Sequence, residues 1–312
     1  MDKHHRENQQ TIKSQILSLQ SSVFIGISGT TLTAEEQRWL QHPLVGGVIL
    51  FTRNYVDIPQ LQALTASIKA INPNLLISVD HEGGRVQRFR ESFTKLPPMR
   101  ALGILYDEDA EKAVDEAYMV GKTIAEELQS VGVDFSYTPV CDLDYEVNPA
   151  IGDRAFHHDA KVLSVLVTAL YKGLSDAGSI GVAKHFPGHG FVNIDTHLAI
   201  ARDERSLEVL ENADLLPFKS LINTGVEALM PAHIIFDCLD CENTVITSKA
   251  WMKYLRETLG FNGVIISDDL DMKGADHLGS VQEKVTACFN AGINIVLLCN
   301  DMTAIRELLS ES

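Results

Sequence analysis

Val264-Ile265-Ile266-Ser267-Asp268-Asp269 sets three β-branched aliphatic residues and a serine directly before two aspartates. A run so short and so apolar, with no polar face, reads as a strand of a parallel sheet covered on both sides. The same kind of run recurs at Val23–Ser28, Gly47–Phe51, Leu75–Val79, Asp134–Thr138, Ile180–Ala183, Ala228–Pro231 and Asn294–Leu298. Longer amphipathic stretches lie between and after them: Ala34–Leu40, Ile58–Ala70, Ala110–Ser130, Ala160–Ala177, Leu207–Asn223, Lys249–Leu259, Val281–Ala291 and Thr303–Leu309. Asp57 before Ile58-Pro59 predicts an N-cap with proline just inside, and Ser248 predicts another. Gly132, Gly178, Gly225 and Gly260 follow helix ends, where a left-handed residue is wanted. Eight β/α pairs in order predict one (β/α)8 barrel of the TIM type; an open sheet fits the same pattern if one or two elements differ. No linker divides the chain. Residues 1–312 read as one catalytic barrel, with 1–20 a polar N-terminal segment expected to be helical.

Composition bounds the functions. The 312 residues are 45% hydrophobic and 22% charged, with a formal net charge of −16. That acidity argues against a protein that tracks nucleic-acid phosphates. Met1–Gln20 lacks the apolar core of a signal peptide, and no apolar run reaches the roughly 18 residues a membrane span needs. Five cysteines are an odd number, and Cys238 and Cys241 form one C-x-x-C in an acidic loop without a partner pair. Free thiols suit a reducing cytoplasm.

The polar residues that follow the strands carry the chemistry. After the third strand comes Asp80-His81-Glu82-Gly83-Gly84-Arg85-Val86-Gln87-Arg88; after the fifth, Lys184-His185-Phe186-Pro187-Gly188-His189-Gly190; after the sixth, Pro231-Ala232-His233; after the seventh, Asp268-Asp269. Strand C-terminal ends share one face of a barrel, the face that holds active sites. Adjacent strand residues point oppositely, so one of the two aspartates is expected to face the axis. Asp268 is the expected catalytic carboxylate, and Asp269 is left to cap a helix. Asp195 and His197, two apart in an extended loop, lie on one side of the chain. A carboxylate beside an imidazole makes a proton-transfer unit, or else a surface pair of no consequence.

Lys184-His185-Phe186-Pro187-Gly188-His189-Gly190 followed by Asp195-Thr196-His197 resembles a signature of the glycoside hydrolase family 3 β-N-acetylhexosaminidases. Asp80 to Phe89, Met230-Pro231-Ala232-His233-Ile234 and Ser267-Asp268-Asp269-Leu270-Asp271-Met272 are similar to further segments of that family, in the same order, from about Ile25 to Cys299. The resemblance implies the single-domain bacterial form, which removes N-acetylglucosamine from 1,6-anhydromuramoyl fragments of peptidoglycan in the cytoplasm. It implies Asp268 as nucleophile, His197 as general acid/base with Asp195 as its partner, and Asp80, Arg88, Arg154, Lys184 and His185 as the groups that hold the sugar. Ala155 stands where the family more often has serine. The expected partner is a small saccharide or muropeptide, with no nucleic acid and no membrane; no cofactor and no metal is called for.

Two other classes compete. A metal-dependent hydrolase would use His185, His233, Asp268 and a lysine at strand ends, but it usually also wants H-x-H after the first strand, and Ser28-Gly29-Thr30-Thr31 supplies no ligand. A degenerate barrel acting as a sugar sensor predicts loss of Asp268 or His197, and both are present. Peptide-stem and aglycone preference, water against phosphate as acceptor, and oligomeric state are not legible.

Overall fold

The computed structural model describes residues 12–193 and 201–310. Eight strands build the sheet: β1 Ser22–Gly26, β2 Val45–Leu50, β3 Leu76–Val79, β4 Phe135–Ser136, β5 Val182–Phe186, β6 Ala228–Pro231, β7 Val264–Asp269 and β8 Ile295–Leu298. All pair in parallel, in the order β4-β3-β2-β1-β8-β7-β6-β5. The two ends of that order meet. Val140 bridges Lys184 in parallel, Val182 N–H donates to Thr138 O at 2.8 Å, and Lys184 N–H donates to Pro139 O at 3.2 Å. Pro139 has no N–H to give, so at that residue the seam is held by its carbonyl alone. The sheet thus closes into the (β/α)8 barrel expected from the sequence, with no free edge.

Helices α1 Ala34–Trp39, α2 Ile58–Ile71, α3 Ala110–Ser130, α4 Ala160–Asp176, α5 Leu215–Thr224, α6 Lys249–Lys253, α7 Val281–Ala291 and α8 Met302–Ser310 surround it. The predicted caps form. Asp57 accepts from Gln60 N–H, Ser248 accepts from Trp251 N–H, and the four helix-ending glycines have φ between 71° and 94°. One apolar layer fills the space between strands and helices, and a second fills the barrel itself. The inner layer runs from Ile12 and Ile16, on a helix at 12–18, through Phe24, Leu76 and Ile180, to Tyr137 and Met230 near the opposite mouth.

Two segments differ from expectation. The stretch expected as one helix over Leu207–Asn223 is two, Leu207–Asn212 and α5, broken at Ala213. Pro217 explains the break: inside one continuous helix its ring would clash with the carbonyl of Ala213, whereas in the first turn of α5 it is tolerated. The stretch expected as Lys249–Leu259 changes from α to π geometry at Tyr254. A long segment follows β3. It holds a hairpin of His81–Gly83 with Val86–Gln87 and a helix over Met99–Glu108.

Helices α3 and α4 cross with almost no side chain between them. A Cβ on Gly121 would lie 2.0 Å from the Leu170 carbonyl oxygen, and one on Gly173 would lie 2.0 Å from that of Tyr118. Both obstacles are backbone, which cannot step aside. Gly121→Ala is therefore expected to cost about 1–3 kcal/mol or more, as overpacking does. Gly29→Ala, where nothing lies within 4 Å, should stay within about 0.5 kcal/mol of the parent. Urea unfolding at constant m-value separates the two.

Candidate active site

The C-terminal ends of the strands surround a cavity of about 420 Å³. Its floor is the top of the inner apolar layer, with Ile49, Tyr137, Met230 and Leu297 in both. Its wall carries Asp80, Arg88, Arg154, Lys184, His185 and Asp268 together. These are six of the eight side chains singled out above. Asp195 and His197 lie outside the described residues.

The cations are held by acids rather than left to find them. Lys184, 2% exposed on β5, places Nζ 2.8 Å from Asp80 Oδ1 and 2.6 Å from Glu82 Oε1. Glu82, 1% exposed on the hairpin after β3, also takes Arg154 through two bonds, Nε to Oε2 and Nη2 to Oε1, both 2.8 Å. Arg88 approaches Asp80 at 3.7 Å, which leaves donors on its guanidinium for a ligand. Burial alone would raise the Glu82 carboxyl, but the charges of Arg154 and Lys184 outweigh it and hold the group far below the usual carboxylate range. Burial likewise opposes the charge on Lys184, and Asp80 and Glu82 more than restore it. The result is a rigid set of charged donors, the kind that grips hydroxyl groups directionally.

Asp268 and Asp269 both line the cavity, contrary to the expectation that only one would. The reason lies in the strand pairing. Ile266 pairs with Ile295 but Asp269 pairs with Leu297, so β7 spends three residues where β8 spends two. A bulge of this kind resets the alternation and re-aims a side chain. Nor does Asp269 cap a helix: its Oδ1 accepts from the N–H groups of Asp271 at 3.1 Å and Cys299 at 3.2 Å. The two carboxyls part company electrically. Burial pushes Asp268 up, but His185, His233 and the Asp269 N–H, 2.8 Å from its Oδ1, bring it net downward. Asp269 is pushed upward by burial and then by the charge of Asp271. Neighbouring acids driven apart in this way divide into an anion and a proton holder.

His233, buried after β6, sets Nε2 2.9 Å from the Asp269 carbonyl oxygen. Among the described residues no group of three or more His, Cys, Asp or Glu side chains is arranged to hold a metal. Glu82, Asp142 and Asp269 were not singled out from the sequence as site residues. Glu82 had a signal in its place between Asp80 and Arg88, and Asp142 had one in following the apolar pair Val140-Cys141.

Fold and site together are those of a barrel glycoside hydrolase. The chain belongs to glycosyl hydrolase family 3, whose signature, described as the Glycosyl hydrolase family 3 N terminal domain, matches residues 11–311. A protein named beta-hexosaminidase from Methylobacillus flagellatus is 49% identical over 289 residues, 92% of this chain and 83% of that one. Another of that name, from Nitrosospira multiformis, is 49% identical over 291 residues, 93% of this chain and 83% of that one. The crystal structure of NagZ from Neisseria gonorrhoeae in complex with N-trifluoroacetyl-D-glucosamine superposes with a TM-score of 0.89 at 44% identity, covering 94% of this chain and 85% of that one.

Glu82→Gln keeps the shape and removes the charge beneath Lys184 and Arg154. Breaking a buried ionic group this way costs roughly 3–5 kcal/mol, so the variant should unfold at markedly lower denaturant at pH 7. A carboxylate depressed in the folded state stabilises above its unfolded pKa, here about 4.5, and that stabilisation is lost as pH falls toward the folded value. The gap between parent and variant should hold from pH 7 to 5 and narrow below about 4.5. A gap constant down to pH 3 would contradict the charge reading.

Proposed function

We propose that this chain, as one catalytic unit over 1–312, is a retaining exo-β-N-acetylglucosaminidase. Its substrates are 1,6-anhydromuramoyl fragments of peptidoglycan, and its workplace is the cytoplasm. The observation that carries the reaction is the ionised Asp268 in the wall of a cavity that it shares with Asp80, Arg88, Arg154, Lys184 and His185. Support for the sugar comes from the names of the relatives and from the N-trifluoroacetyl-D-glucosamine in complex with the gonococcal protein. Support for the aglycone and the compartment is the motif resemblance described above. Among the described residues no helix is long and apolar enough to cross a membrane.

In this reading an Asp268 oxygen attacks the anomeric carbon as its bond to the aglycone oxygen breaks, and His197, oriented by Asp195, gives that oxygen a proton. Water then attacks the same carbon, its proton passes to His197, and Asp268 leaves as carboxylate. Two displacements retain the β configuration. The cage of cations and acids holds the ring while its hydroxyls stay put.

Asp268→Ala should lower kcat by several orders of magnitude. A 2-fluoro glycoside should label Asp268, as read by peptide mapping; a label elsewhere would sink the assignment. NMR of the first product should show β-N-acetylglucosamine, and analysis for sugar phosphate decides whether phosphate replaces water.

General acid catalysis contributes about 10²–10⁴-fold, and most for poor leaving groups. His197→Ala should therefore cost far more on a disaccharide-like substrate than on a nitrophenyl glycoside. Equal losses on both would remove His197 from the role.

A further inference from the structure

Behind His185 lies a carboxylate that the scheme above does not use. Asp142 is fully buried in the segment 139–142, which runs alongside β5 where the barrel closes. Its Oδ2 stands 2.7 Å from His185 Nδ1. Its Oδ1 accepts the backbone N–H of His185 at 3.2 Å and that of His189 at 2.7 Å. Burial would raise this acid, but His185 and the bonds it receives bring it net downward, so it accepts and does not donate. The proton between Asp142 and His185 therefore belongs to Nδ1. Because His185 lines the cavity with Lys184 and Asp268, its other nitrogen, Nε2, is the one left for that side.

The ring has a brace on its other side. His189 meets it edge to face at 5.6 Å. His189 is itself gripped by Asn148, whose Nδ2 lies 2.9 Å from His189 Nδ1 and 2.8 Å from its carbonyl oxygen. Asp142 also fixes the turn between the two histidines, since one oxygen takes N–H groups at both ends of it. Carboxylates in this relation to a functional histidine set its tautomer and ring orientation.

The structure assigns Asp142 the part of a positioning residue: it holds His185 in the Nδ1–H tautomer, with Nε2 presented to Asp268 and to the sugar. The expected direction of its kinetic effect rests on the reading of Asp268 as nucleophile; the tautomer does not.

Asp142→Asn tests it. The amide oxygen can still take both backbone N–H groups, but the amide nitrogen then faces Nδ1 and requires it to accept, which moves the proton to Nε2. Nitrogen NMR of histidine-labelled protein, with His185 assigned by His185→Gln, should show Nδ1–H in the parent and Nε2–H in Asp142→Asn. Activity, as kcat/KM, should fall roughly 10–100-fold, the usual range for such outer partners. The fall should be the same for activated and poor leaving groups, because His185 stands on the nucleophile's side.

In a His185→Gln background, Asp142→Asn should cause no further loss. A bare Nδ1 in the parent spectrum, or full losses in both backgrounds, would overturn the assignment. If Asp142→Asn does not fold, the parent spectrum alone decides. If the 2-fluoro label misses Asp268, only the nucleophile assignment falls, since the tautomer and the two-background comparison do not depend on it.

Discussion

Everything at the mouth of this barrel depends on one buried carboxylate, Glu82, and on the two cations that share it. Lys184 comes from β5 and Arg154 from the connection after β4, and each would be costly to bury alone. Glu82 receives both within 2.8 Å, and Asp80 takes the remaining reach of Lys184. Such a knot is stable only if its members are held in place by something stiffer than themselves. That stiffness comes from β3 and β5 on the closed sheet. Lys184 and His185 are therefore about as rigid as β5 itself, and Asp80, Glu82 and Arg154, which lie on the connections, are tied to that strand by their ion pairs.

Charge balance inside the cavity is unrelated to the charge of the whole chain. The formal charge is −16, yet the walls carry four cationic side chains, Arg85, Arg88, Arg154 and Lys184. Three carboxylates meet them, Asp80 and Asp268 in the lining and Glu82 beneath, with the proton-holding Asp269 next to Asp268. Surface charges more than about 8–10 Å away are screened at ordinary ionic strength. The cavity thus offers strong local donors and acceptors with little net field, which suits an uncharged ring whose hydroxyls need orientation rather than attraction.

The strands were legible because each is a short run buried on both sides, and hydrophobicity alone marks such a run. Helices α3 and α7 were legible to the residue, since their caps, periodicity and terminators all agree. Lys184 was legible because it interrupts an apolar run at a strand end, Arg88 because it closes the polar segment that follows β3, and Arg154 only through the motif resemblance. Three things were hidden. The paired approach of Asp268 and Asp269 depends on a bulge, which exists only relative to β8 and leaves no trace in β7 itself. The role of Asp142 depends on barrel closure, which brings 139–142 beside β5 across more than forty residues. The split at Ala213 was readable in principle from Pro217, but the apolar periodicity on both sides of it argued for continuity.

The helix at 12–18 gives the cavity a direction. Ile12 and Ile16 belong to the same apolar cluster that forms the cavity floor at Tyr137 and Met230, so among the described residues the cavity opens at the other end of the barrel. On the exo-acting reading proposed above, the glycoside leads with its terminal ring and leaves the remainder standing in the doorway. The ring at the bottom cannot depart until the part above it has gone. Shape alone therefore imposes an order of release, aglycone first and sugar last, which is the order a two-stage displacement needs.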